Sequence, residues 1–125
     1  FFGRAEEVNS AHWAPKAGQA SALAMMGEAT AALGMFEQAQ RLGATHALIA
    51  LDRGLAFDLL GRQSEAQADY RAVLAGPDQP EAQRRLALSL AISGRKPEAL
   101  AALDPLIARR DNAARRTRAF ILALG

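Results

Sequence analysis

Apolar residues recur along the chain three and four positions apart, and single glycines cut these runs at a regular interval. Gly27, Gly61 and Gly94 are 34 and 33 residues apart, and Gly125 follows 31 later. Around the first three the same side chains return. Five residues after each comes Ala32, Ala66 or Ala99. Nine after comes a large residue, Phe36, Tyr70 or Leu103. Twelve after comes Ala39, Val73 or Leu106. Four before each glycine stands Leu23, Phe57 or Leu90, and seven before stands Ala20, Gly54 or Ala87. Phe2 and Ala5 lie 34 residues ahead of Phe36 and Ala39 and continue the register backward.

A period of this length is the mark of a repeat architecture built from helix–turn–helix units. The small residue seven before the turn lets two helices approach, and the bulky one four before it fills the gap. Glycine ends the first helix in the left-handed region without a Cβ penalty. The pattern predicts the end of an orphan helix up to about residue 8. It then predicts helices over about 15–26 and 29–42, 46–60 and 64–75, 79–93 and 97–110, and 112–124. Pro15, Pro80 and Pro97 fall at expected first turns. Ser64 with Gln67 fits a capping box, and Asp111 fits an N-cap. Pro105 falls inside a predicted helix and is expected to kink or split it.

Composition narrows the class. Thirty Ala and 17 Leu dominate a chain of 125 residues, while Val, Ile and Thr number two, four and three. So few β-branched residues exclude an all-β fold. The absence of cysteine removes disulfides, thiolate metal sites and thiol nucleophiles. The expected fold is a single all-α domain of about three repeats. Its divisions are a partial repeat over 1–12, repeats over 13–46, 47–79 and 80–110, and a terminal helix over 111–125.

These residues resemble the tetratricopeptide repeat (TPR) family, over nearly the whole chain. Ala20, Gly54 and Ala87 match the small residue of the family's first helix, and Leu23, Phe57 and Leu90 its bulky one. Ala32, Ala66 and Ala99 match the Ala that opens the second helix; Phe36, Tyr70 and Leu103 match its Phe. The family often has Trp where this chain has Lys16, Ala50 and Gln83, and its inter-repeat Pro is displaced to Pro77 and Pro80. The resemblance implies a right-handed α-α superhelix of antiparallel helix pairs. It implies protein–protein interaction, as a scaffold or adaptor holding a peptide or helix in a concave groove lined by the first helices. The matching groove positions are Met25, Leu48, Leu51, Leu55, Asp58, Leu59, Arg84, Leu88, Ile92 and Arg115. Ala119 and Leu122 are the other groove positions on the final helix. Members that grip a chaperone's C-terminal carboxylate use Lys, Asn and Arg where this chain has Ala17, Ser21, Asp52 and Glu81, so that role is not implied. The Ala- and Arg-rich style resembles bacterial repeat proteins of pilus-assembly, secretion and cell-envelope complexes, in the cytoplasm or periplasm.

Charge adds a second and a third reading. Residues 1–80 carry six basic and nine acidic side chains, and residues 81–125 carry nine and four. Arg109, Arg110, Arg115, Arg116 and Arg118 could bind an acidic ligand, although nucleic-acid binding lacks the interleaved aromatic residues it normally uses. The chain begins with Phe1, starts in a second helix and ends after a first one. We read this as a window of a longer solenoid, whose end helices could stack head to tail into a homo-oligomer.

The chemistry of catalysis is missing from this pattern. His12 and His46 have no partner at ligand spacing, and Ser10, Ser21, Ser64, Ser89 and Ser93 have no nucleophile-elbow context. Asp58 and Asp69 are expected on faces open to water. No enzyme activity, metal or cofactor is expected. No run of about 18 apolar residues exists to span a membrane.

Overall fold

The computed structural model describes residues 2–124, with side chains from residue 12 onward. The described residues form seven helices and no strand. They are α1 (Phe2–Met25), α2 (Ala29–Arg41), α3 (His46–Leu59), α4 (Gln63–Ala72), α5 (Gln79–Ile92), α6 (Lys96–Ala108) and α7 (Asn112–Ala123). They gather into two compact units, Phe1–Arg62 and Gln63–Gly125.

In the N-terminal unit α2 packs on both α1 and α3, and α1 also touches α3. Ala20 and Ala24 of α1 face Ala29, Ala32, Phe36 and Ala39 of α2, with Ile49 and Ala56 of α3 completing the core. Alanine on both sides brings the helix backbones close, and Phe36 fills the volume that alanines cannot. In the C-terminal unit α5 is central and meets α4, α6 and α7. Its buried residues include Tyr70, Leu86, Ala87, Leu90, Ala99, Leu103, Leu106, Ala114 and Ile121. The recurrent Ala and large positions of the sequence are thus buried in both units.

The turns are built alike. Gly27, Gly61 and Gly94 have φ of 83°, 76° and 85°. Beyond each, the next amide reaches back to the carbonyl of the bulky residue: Glu28 to Leu23, Arg62 to Phe57 and Arg95 to Leu90, each at 2.8 Å. This six-residue closure satisfies a carbonyl that the ending helix leaves without a donor. Arg110 makes the same bend without being glycine, at φ 62°, and the Asp111 amide reaches the Leu106 carbonyl at 3.0 Å.

Several local expectations change. The expected break between an orphan helix and one starting near residue 15 is absent, because α1 runs through Pro15. Likewise α6 runs through Pro105 without splitting. Both prolines are exposed. On a solvent face the carbonyl deprived of its donor can turn to water, which lowers the cost of an interior proline. Pro80 and Pro97 do occupy first turns. Ser64 lies inside α4 rather than ahead of it, and the Gln67 amide crosses to the next helix, donating to Ser89 Oγ at 3.3 Å and Ser93 Oγ at 3.0 Å. Asp69 is 3% exposed, not open to water. The side chains of the first eleven residues, Phe2 and Ala5 among them, on which end-to-end stacking would draw, lie outside the described set.

Candidate functional site

The residues two before each turn glycine are apolar and exposed: Met25 by 64%, Leu59 by 51% and Ile92 by 55%. Each lies two residues beyond the bulky position, which is half-buried at Leu23 and Phe57 and buried at Leu90, and its own side chain stays in water. Leu48 is exposed on the first turn of α3. Leu51, Leu55 and Asp58 are half-buried. Leu55 packs against the core of the N-terminal unit, which draws it out of the expected groove lining.

In the C-terminal unit the α5–α7 face holds two adjoining cavities that share Leu88 and Thr117. One, of about 270 Å³, is walled by Leu88, Arg116, Thr117 and Phe120. The other, of about 200 Å³, is walled by Glu81, Arg84, Arg85, Leu88 and Thr117. Phe120 is 54% exposed. The register of α7 decides which residues reach this face. Ala114 and Ile121, seven apart, are its buried stripe. At about 100° per residue, Thr117, Phe120 and Arg116 fall on one flank, and Arg115, Arg118 and Leu122 on the other. Arg115, expected in the groove, therefore points away from the α5–α7 cavities, and Arg116 takes its place. The same split disperses the C-terminal arginines over two flanks of α7 and the turn ahead of it.

Two of the cations are committed within the unit. Arg84 Nη1 donates to Asp111 Oδ2 at 2.9 Å, and Arg85 Nη2 to Glu81 Oε1 at 2.9 Å. Asp111 also caps α7 by accepting from the Ala114 amide at 3.0 Å. That amide, with the Arg84 charge, holds the Asp111 carboxyl below its ordinary value, against burial, which acts to raise it. Arg84 is thus the tie between α5 and the start of α7. Arg116 is exposed and has no ion pair among the described residues.

A second cluster lies in the N-terminal unit, and the sequence reading had no place for it. Arg62 Cζ sits 4.8 Å from the centre of the Phe57 ring, and Arg53 Cζ sits 5.8 Å from it. Arg53 Nη1 donates to Gln40 Oε1 at 3.2 Å, and Nη2 lies 2.9 Å from His46 Nδ1. A cavity of about 250 Å³ opens there between Leu33, Glu37, Gln40, Arg53, Phe57 and Arg62. The signal available in sequence was an arginine four before, and another five after, one aromatic residue.

Among the described residues no group of three or more His, Asp or Glu could hold a metal ion. No described helix is long and apolar enough to cross a membrane. No protein-family model, curated protein or solved structure matches the chain.

Proposed function

We propose that this chain is a TPR-like helical-repeat module that binds a peptide segment of a partner protein on the faces of its first helices. In the C-terminal unit the anchoring part of that face is the α5–α7 cleft. The support for the repeat reading is local: three glycine turns with one hydrogen-bond geometry, flanked by the same buried positions. The observation that carries the binding reading is the meeting of three features between α5 and α7. They are two adjoining cavities, an aromatic ring left half in water, and a cation with no ion pair among the described residues.

The occupant follows from that chemistry. An apolar side chain between Leu88 and Phe120 removes both from water, a gain of about 1.5–3 kcal/mol for each well-buried side chain. A neighbouring carboxylate on Arg116 adds a charge-assisted hydrogen bond. The net +5 of residues 81–125 draws an acidic segment toward the same unit. After the cost of ordering the peptide, such an anchor gives an affinity of about a micromolar.

The test is a random-peptide display selection against the wild type and against Phe120→Ser. Enrichment of sequences that pair an acidic with a large apolar residue on the wild type alone, with equal helical circular dichroism for both proteins, supports the cleft. Equal enrichment on both proteins contradicts it.

A further inference from the structure

We infer that the occupant of the α5–α7 cleft is the N-terminal segment of a second copy of this chain, seated through positions 2 and 6. The inference rests on the peptide-binding reading of that cleft and names its partner.

The cleft sets the requirement. Its apolar cavity lies between Leu88 and the half-exposed Phe120, with Arg116 in the wall. Arg116 and Phe120 are four residues apart, so they stand one turn from each other on α7. In the adjoining cavity the arginines are already paired, Arg84 with Asp111 and Arg85 with Glu81. The occupant therefore needs a large apolar side chain and an acid one helical turn from it.

Phe2 and Glu6 are such a pair, at the same spacing of four. Elsewhere an aromatic residue next to an acid is drawn into the fold. Phe36, beside Glu37, and Tyr70, beside Asp69, are buried, and Phe57, beside Asp58, is half-buried. Charge favours the same segment. Residues 1–12 hold one arginine and two glutamates, whereas residues 81–125 hold nine basic and four acidic side chains. Opposite signs steer the first toward the second.

The backbone presents this segment as a helix. α1 has 24 residues and spans about 36 Å, whereas α2 and α3, with 13 and 14, span about 20 Å each. From the turn at Gly27, α2 runs back beside the second half of α1, and α3 reverses over the same length. The first turns of α1 therefore outrun both other helices of their unit. Because α1 is unbroken through Pro15, docking has little further chain to order. Laid antiparallel to α7, its register brings position 2 to Leu88 and Phe120, and position 6 to Arg116.

The experiment measures the weight-average mass of the intact chain by sedimentation equilibrium between about 1 and 200 µM, a range that covers the affinity expected of the anchor. The expected result is a mass that rises above 13.3 kDa with concentration. Glu6→Arg and Arg116→Glu should each, alone, weaken association about tenfold or more. An equimolar mixture of the two should recover it, since each variant's segment then meets a cleft of opposite charge on the other. Phe2→Ala should abolish it. A mass of 13.3 kDa throughout the range would overturn the inference. So would association that survives Phe120→Ser, or a mixture that associates no better than its components. The peptide selection on wild type and Phe120→Ser tells two failures apart. If the wild type alone still enriches acidic peptides with an apolar anchor while the chain stays monomeric, the cleft stands and the second copy is not its partner. If neither is seen, both readings fall.

Discussion

Arg110 and Gly94 do the same work with different chemistry. Both hold a left-handed bend that ends a helix, and both are followed by an amide that reaches back to a leucine carbonyl. A Cβ at Gly94 would meet nothing within 4 Å, so Gly94→Ala costs only the backbone penalty, about 1–2 kcal/mol. Arg110 already bears that penalty. Arg110→Gly should therefore stabilise by about 0.5–1 kcal/mol, after the entropy that glycine loses on folding. Urea unfolding of the two variants checks the pair, and a midpoint that falls in both would refute the comparison. Asp111 gives a second test at this scale. Its folded pKa lies below the unfolded value near 3.8, so its contribution is present above that value and fades as pH falls through the folded one. Asp111→Asn keeps a capping side chain but loses the Arg84 ion pair, at a cost of under about 1 kcal/mol near neutrality. That difference should shrink as pH falls below about 3.8 and close only beneath the lower, folded pKa. A difference that persists there would assign it to packing instead of charge.

Among the elements, the two helices that run through proline are the informative ones. Proline inside a helix reads in sequence as a break, and periodicity cannot tell whether its carbonyl partner faces water. In α6 it does, because Pro105 and Ala101, whose carbonyl loses its donor, are both exposed. Pro105→Ala should restore one helical hydrogen bond and stabilise by about 1 kcal/mol or more, up to the roughly 3 kcal/mol of an interior proline. Slower exchange at the neighbouring amides, and protection of the amide that the substitution creates at position 105, would accompany the gain; neighbouring exchange left unchanged would mean that water already satisfies the carbonyl. The elements themselves were legible, since a turn glycine and a buried alanine five residues later are local demands of one helix hairpin. The α7 register was not. It turns on Ala114 and Ile121 meeting the rest of the unit, a packing choice that a short Arg-rich helix does not announce. The Arg84–Asp111 tie, 27 residues apart, was invisible for the same reason.

At the scale of the whole chain, repetition supplies a frame and the departures from it supply chemistry. Phe36, Tyr70 and Leu103 occupy one repeat position and are all buried. Met25, Leu59 and Ile92 occupy another and are all exposed. The first set explains why the units fold, and the second is surplus to folding, as are Arg116 and Phe120 on α7. Part of the candidate site could be read from the repeat alone: Leu88 lines both α5–α7 cavities, and Met25, Leu59 and Ile92 are each exposed. The α7 register shifts the cation at the cavity wall from the expected Arg115 to Arg116. That shift provides the sharpest test, a charge reversal. Display selections should be run on wild type, Arg116→Glu and Arg115→Glu in parallel. The proposed cleft predicts acidic peptides with a large apolar anchor for the wild type and for Arg115→Glu, and basic peptides with the same anchor for Arg116→Glu. Selected peptides that keep their acidic character on Arg116→Glu would contradict it.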